Sequence, residues 1–367
     1  MRRRIGILRT GSIGDHLIAV PLYRQIKEAH PDDTLVLVCN LPAQGNRKLV
    51  GPASFLPESL FDEWHSYPVG SDWNAVKETY RLFRGASLDR LYYLMPARNA
   101  MQLWRDRVFF WLARVPVVGL RTDAGARGAR QPADSNFVEH ETDRLARSIG
   151  LQARKTPRYR SIDVTDSERA EARVVLKGRP ECAVVISIGT KLTVNDWGLE
   201  KWSQLVSSLA TVRRIDRLVL IGSADEHAYS ETLRQHWPGE ALNFCGRLSP
   251  RVSAAVLAQA KLFVGHDSGP MHMAAAVDVP IVAVFSSRNP PGLWFPLSEN
   301  KRIHYSVIEC MGCGKLTCEE LQKECIRRIS VKDVFDSCVA ALGGDKPSAS
   351  VLQFPRGDAD QTRTERA

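Results

Sequence analysis

The sequence predicts an α/β protein of two Rossmann-like domains whose parallel sheets face a central cleft. Three observations carry this. Apolar strand-like runs alternate with helical ones through both halves of the chain, which is the pattern of a parallel sheet covered by helices. The length of 367 residues exceeds what one core usually organises and suits two domains of about 150–200 residues. Two strand–turn–helix units, Ile5–Ala29 and Lys261–Ala276, stand far apart in the chain, and each carries a turn suited to a polar ligand.

Taken in order, Ile5-Gly6-Ile7-Leu8 is a short buried strand, Arg9-Thr10-Gly11-Ser12-Ile13-Gly14-Asp15 a glycine-bearing turn, and His16–Ala29 an amphipathic helix. Leu35–Val38 is the next strand, and Leu91–Leu94, within Leu88–Met95, another. Arg121–Ser135 lacks an apolar period and is expected to form a mobile loop, while polar, basic Gln152–Arg160 with Pro157 is the best linker. That linker divides the chain into a first domain over residues 1–160 and a second over residues 161–342. The second opens with Ala183–Ile188, an almost continuous apolar strand of the kind buried inside parallel sheets. Strands Arg217–Gly222, Lys261–Gly265 and Pro280–Phe285 follow, with helices at Glu200–Thr211 and Val252–Ala260. The remainder, residues 343–367, is rich in Asp, Arg, Ser and Gln and is expected to be a disordered tail.

Composition narrows the function. No run of 18 apolar residues exists, so no transmembrane helix is expected. Met1-Arg2-Arg3-Arg4 opens like a signal peptide, but Arg9, Asp15 and His16 interrupt the apolar stretch that should follow, so a cytoplasmic protein is expected. The formal charge of +9 is spread over both halves, which favours a solvated basic surface, an anionic ligand or a lipid face over a nucleic-acid partner. Of eight cysteines, Cys310, Cys313, Cys318 and Cys325 cluster. A single Cys-x-x-Cys pair falls short of a zinc ribbon, so zinc stays open beside the plainer reading of small buried cysteines.

The residues with chemical potential lie in the two turns. In Gly265-His266-Asp267-Ser268-Gly269-Pro270-Met271-His272, a strand ends in a turn that opens a helix. Its backbone N–H groups lack intrahelical partners and sit at the positive end of the helix dipole, a natural seat for phosphate. Gly11-Ser12-Ile13-Gly14 is neither the six-residue dinucleotide fingerprint nor a Walker A loop, but it lets a ligand approach the backbone. Asp15 then has two readings, a helix cap or a general base facing the cleft. The one Asp-x-Asp pair, Asp358-Ala359-Asp360, lies in the tail, where a metal site cannot be preorganised.

The two turns together, with a Trp-bearing segment after the first strand of the second half, resemble glycosyltransferase family 9, the bacterial heptosyltransferases of the lipopolysaccharide core. The similarity runs through most of residues 1–340. It implies the GT-B fold and an inverting, metal-independent transferase without a cofactor. The acceptor would be held by the first domain, around Thr10, Gly11, Ser12 and Gly14, and a nucleotide diphosphate sugar such as ADP-heptose by the second. Asp15 matches the family's catalytic base. Asp267, Ser268 and Gly269 match the turn that contacts the diphosphate, with Pro270, Met271 and His272 in the helix behind it. Glu226 matches a carboxylate near the nucleotide ribose, or else is an exposed first-turn glutamate. The family carries a lysine two residues before the tryptophan of Gly189-Thr190-Lys191-Leu192-Thr193-Val194-Asn195-Asp196-Trp197, where this chain has Asn195. Lys191, beside Thr190, is the substitute cation.

Met101–Arg114 mixes aromatics with arginines. It suits a membrane-surface helix serving a glycolipid acceptor at the inner face of the cytoplasmic membrane, or a core helix with solvated arginines. Two other functions fit the same fold: a nucleotide-sugar epimerase, which would need further acid/base groups in the first domain, and a non-catalytic nucleotide-sugar-binding paralogue, which the presence of Asp15 disfavours.

Overall fold

The structure, a computed structural model, describes residues 2–40, 50–68, 70, 72–120, 128–133, 135–153, 160–178, 183–343 and 352–353. Most of the expected linker, half of the Arg121–Ser135 loop, and all of the tail beyond Gly343 except Leu352–Gln353 lie outside the described residues.

Two parallel sheets organise the chain. The first contains β1 (Arg4–Leu8), β2 (Thr34–Asn40), β3 (Glu63–Tyr67), β4 (Arg90–Tyr93) and β5 (Val117–Val118), in the order β3-β2-β1-β4-β5. Gly6 sits at its centre, opposite Val36 on one side and Leu91 on the other. Its helices are α1 (Ile13–Leu17), α2 (Val20–Ala29), α3 (Trp73–Gly85), α4 (Ala100–Ala113) and α5 (Glu141–Ser148). After α6 (Asp166–Val175) comes the second sheet: β6 (Ala183–Ser187), β7 (Arg217–Leu220), β8 (Glu240–Asn243), β9 (Leu262–His266), β10 (Ile281–Phe285), β11 (Lys301–Ser306) and β12 (Leu352–Gln353). Their order is β12-β11-β10-β9-β6-β7-β8. The intervening helices are α7 (Leu199–Leu209), α8 (His227–Arg234), α9 (Pro250–Leu257) and α10 (Gly269–Ala276), followed by α11 (Glu324–Arg327) and α12 (Val331–Gly343).

The central strands are buried along their whole length, as in Ala183–Ser187 and Ile281–Phe285, because helices cover both sheet faces. Each sheet reverses its strand order once, between β1 and β4 in the first and between β6 and β9 in the second. At such a switch point the loops leave the sheet in opposite directions and open a crevice beyond the strand ends, where ligands of open α/β sheets bind. The turn after β1 and the turns after β6 and β9 therefore occupy these crevices.

Two sequence expectations are corrected. His16–Ala29 is not one helix: α1 ends at Leu17, and α2 restarts at Val20 with Pro21 in its first turn. Proline lacks the N–H that a continuous helix would need there. The tail contributes Leu352–Gln353 as a strand beside Tyr305–Ser306. The sequence also conceals β11 and the edge strands β3, β5 and β8; residues at a sheet edge need no continuous apolar run, as in the half-exposed Glu63-Trp64-His65-Ser66-Tyr67.

Candidate active site

The first turn is built around Arg9, a wholly buried arginine at the end of an apolar strand. Its Nε donates to the Asp15 carbonyl at 3.1 Å and its Nη1 to the Leu94 carbonyl at 2.9 Å. Its Nη2 stands 3.6 Å from Asp15 Oδ1, and its Nη1 stands 3.5 Å from Glu141 Oε1. Glu141 in turn is gripped by Arg144, whose Nη2 also donates to the Met95 carbonyl. Asp15 Oδ2 accepts the Ser12 N–H at 2.8 Å. Asp15 is thus both a helix cap and a carboxylate braced from behind by a guanidinium, with about a quarter of its side chain exposed. Gly11 makes this possible: its φ of +124° is strained for other residues, and a Cβ there would fall 2.2 Å from Asp15 Cγ. Its N–H is held by the Asn40 side chain at 2.9 Å, and the Thr10 hydroxyl rests on the Met95 sulfur.

The second turn begins at β9. His266 is buried and accepts on Nε2 from the Trp197 N–H and the Trp202 indole, at 3.1 and 3.2 Å. This leaves Nδ1–H to donate to the Ile188 carbonyl. Burial pushes its pKa down to about 4, so the neutral ring ties β9 to the loop after β6. Asp267, next in sequence, is largely buried, and burial pushes its pKa up to about 7. The Asp15 charge adds to this rise, and the Arg288 guanidinium opposes it. Ser268 precedes α10 with its Oγ buried and without a hydrogen-bond partner. Pro270 occupies the first turn of α10, and Met271 is buried in the core, so Met271 can offer a ligand only its backbone. Burial holds His272 neutral, with a pKa near 3, 4.0 Å from Asp267 Oδ1.

The two turns meet. A Cβ on Gly14 would lie 2.6 Å from His272 Cδ2, and one on Gly269 would lie 3.3 Å from Ile13 Cβ, so α1 and α10 pack N-terminus against N-terminus. Residues 138–141 clamp this arrangement: the Val138 and Glu141 N–H groups donate to the Pro291 and Leu293 carbonyls, and His140 pairs with the Phe295 carbonyl.

The remaining expected residues ring the same crevice. Glu226 folds over Gly189 and Gly222, and a Cβ on either glycine would come within about 2 Å of its carboxylate. Its Oε2 accepts the Ser223 N–H, so this carboxylate is set across the ends of β6 and β7 and is not a freely exposed side chain. Thr190 closes a tight turn with Leu192, and Lys191 is exposed at that turn. Asn195 is buried and accepts from the Ser286 hydroxyl. The position at which the resemblance expects a cation is therefore turned into the protein.

Sequence reasoning passed over Arg9, Asn40, Glu141, Arg288 and His266. Arg9 carried a signal, a charged residue directly after four strand residues; the others become neighbours only through the fold. Arg288 is fixed by the Lys315 and Gly314 carbonyls close enough to Asp267 to lower its pKa, making it a second cation beside the crevice. Of the cysteine cluster only Cys325 is buried; Cys310 and Cys318 are half-buried and Cys313 is exposed, so the reading of all four as buried packing residues is corrected. Among the described residues, no group of three or more His, Cys, Asp or Glu is placed to hold a metal ion. No helix among them is long and apolar enough to cross a membrane.

Comparisons with known proteins agree with this architecture. The family described as "Glycosyltransferase family 9 (heptosyltransferase)" matches residues 108–324, a span that includes Lys191, Glu226 and Asp267–His272 and begins beyond Asp15. Lipopolysaccharide heptosyltransferase 1 of Pseudomonas aeruginosa is 29% identical over 221 residues, 57% of this chain and 59% of that protein. The chain thus spans about three fifths of that curated relative. A family 9 glycosyl transferase from Veillonella parvula superposes with a TM-score of 0.70 at 17% identity, covering 94% of this chain and 98% of the other. The ADP-heptose lps heptosyltransferase II of E. coli does so with a TM-score of 0.66 at 18% identity, covering 94% and 99%. The fold is that of GT-B glycosyltransferases.

Proposed function

Because the chain belongs to glycosyltransferase family 9, we propose that it transfers a heptose, with inversion, from ADP-heptose to a glycan acceptor of the lipopolysaccharide-core type, and that Asp15 is the general base. The domain of residues 1–160 holds the acceptor and that of residues 161–342 the nucleotide sugar. The meeting of the two switch-point turns carries this reading, since it sets Asp15 and the N-terminus of α10 in one crevice.

In the reaction the acceptor hydroxyl oxygen attacks the anomeric carbon on the face opposite the diphosphate. Asp15 takes the hydroxyl proton as the new C–O bond forms, and the bond to the diphosphate breaks. Arg9 holds the Asp15 carboxylate in place, which limits the freedom lost in reaching the reactive geometry. The leaving diphosphate lies on the turn Asp267–Gly269, where backbone amides and the unpartnered Ser268 hydroxyl receive its oxygens. With a pKa near 7, Asp267 is substantially protonated at neutral pH and can donate to a phosphate oxygen without repelling it. Lys191 and Arg288 neutralise the charge, and Glu226 takes the ribose hydroxyls. A glycolipid acceptor brings the protein to the inner face of the cytoplasmic membrane.

The test is incubation with nucleotide sugars and a deacylated core acceptor. Transfer with release of nucleoside diphosphate and an inverted anomeric centre is expected. Interconversion of the sugars without transfer would favour an epimerase, and tight binding without turnover a non-catalytic paralogue.

A further inference from the structure

Helix α4 is apolar on two opposite sides. Leu103, Phe110 and Ala113 are buried against the first sheet. At 100° per residue, Met101, Trp104, Val108, Trp111 and Leu112 form a second stripe on the other side, and Met101, Trp104 and Trp111 there are 79%, 66% and 75% exposed. Packing explains the first face and leaves the second without a partner among the described residues. The neighbouring helix α3 extends the second face: Trp73, Val76 and Tyr80 share one side and are exposed. The helices adjoin at Tyr80, whose ring meets Phe109 edge-on and whose hydroxyl donates to the Leu112 carbonyl.

Charge on this surface has one sign. Lys77 and Arg84 fall on the same side of α3 as Trp73 and Tyr80, and Arg105 and Arg107 flank the stripe on α4; all four are exposed. The acidic residues of the two helices lie elsewhere. Glu78 falls more than about 90° around α3 from the stripe, and Asp106 turns inward to accept from the Tyr93 hydroxyl while pairing with Arg105. Indole rings standing clear of the surface beside arginines suit the boundary between lipid headgroups and acyl chains, and cationic side chains favour an anionic leaflet. Both helices also start at the strand ends that carry the turn after β1, so the stripe begins at the rim of the crevice.

We propose that the outer face of α3 and α4 docks on an anionic phospholipid surface and presents the crevice to an acceptor held there. The proposal rests on the membrane-anchored acceptor of the function above, and its test is independent of turnover. The full chain is floated with vesicles of phosphatidylcholine alone and of phosphatidylcholine with phosphatidylglycerol. Binding to the anionic vesicles at least tenfold stronger than to the neutral ones, weakened by salt, is expected. Trp73→Ser, Trp104→Ser and Trp111→Ser together should reduce it a further tenfold or more while leaving the ADP dissociation constant within twofold, which reports an intact fold. Equal partition of parent and triple variant, or no binding to either vesicle, would overturn the docking face. So would a dimer of the parent chain in sedimentation that the triple variant loses, since that assigns the face to a second copy. Vesicle binding without sugar transfer would contradict the activity and leave the docking face standing, and transfer to a soluble acceptor without vesicle binding would do the reverse.

Discussion

The turns after β1 and β9 share one local design, a buried strand, a turn and a short helix, with a carboxylate inside the first turn of α1 in one and just before α10 in the other, yet these carboxylates are in opposite electrostatic situations. Asp15 has a guanidinium behind it and a backbone N–H on its other oxygen. Asp267 has burial around it, a like charge across the interface and only a more remote arginine, so its proton is held up to about pH 7. Two similar turns can thus present a carboxylate braced by a guanidinium on one side of a crevice and one whose proton burial retains to about pH 7 on the other. The motif fixes where a carboxylate stands, and its neighbours fix its protonation state.

The sharpest way to break this comparison is to remove the brace. Arg9→Met removes the buried guanidinium behind Asp15 and leaves Glu141 to Arg144 alone, a change that costs up to about 3–5 kcal/mol when one partner of a buried pair is lost. Thermal or urea unfolding should show that loss. If the stability cost is below ~1 kcal/mol, Arg9 is not the group that distinguishes the two turns.

On the second side, the identity of the phosphate cation sharpens the picture. Losing one charge-assisted contact costs on the order of 1.5–3 kcal/mol, so Lys191→Ala should weaken ADP binding about ten- to a hundredfold by calorimetry. An effect under twofold, with the larger loss appearing in Arg288→Ala, would move the role to the arginine that the fold brings beside Asp267. Glu226→Ala should weaken binding by about tenfold or more, as expected for ribose hydroxyls that donate to a carboxylate. Gly189→Ala should reproduce that loss, because the new methyl displaces the carboxylate.

The smallest effect is on stability against pH. His16, His266, His272 and His304 have folded pKa values lowered to about 3–4 by burial. The stability they support is present above their ordinary value near 6.5 and is lost as pH falls towards 4. Asp267 acts in the opposite sense: its folded pKa is raised, so its contribution is present in acid and is lost as pH rises through about 7. Melting temperatures should therefore fall on acidification below about pH 6.5. Asp267→Asn should melt ~2–4 °C above the parent at pH 8, with the gap closing near pH 4. A gap that stays constant with pH would mean that Asp267 is charged throughout.

Much of this was legible in the chain. Continuous apolar runs such as Ala183–Ile188 announce a central parallel strand, and the two glycine-bearing turns announce the crevice, because few residues allow such close backbone approach. The edge strands were illegible, since Glu63–Tyr67 lies half-exposed at a sheet margin and carries neither a continuous run nor a clean alternation. The helix restart at Pro21 was written in the sequence and is a proline effect. Arg288 and Glu141 could not be assigned, because only the meeting of the two halves brings them to the crevice. Glu226 shows the opposite case. The resemblance set a ribose contact beside the alternative of an exposed first-turn glutamate, and the bed of its carboxylate over Gly189 and Gly222 rules out the freely exposed side chain.

The measurement that tests the asymmetry most directly is the turnover number of Asp15→Asn beside that of Asp267→Asn, each with saturating nucleotide sugar and acceptor. Asparagine keeps the size of aspartate and an amide oxygen that can accept the Ser12 N–H from the third position of α1, so each substitution removes a carboxylate while sparing its size and acceptor. Asp15→Asn should lower kcat by roughly 100- to 10,000-fold with nucleotide affinity nearly unchanged, while Asp267→Asn should keep kcat within about tenfold of the parent. Turnover of Asp15→Asn within about threefold of the parent would contradict the account and leave Asp15 as a helix cap alone.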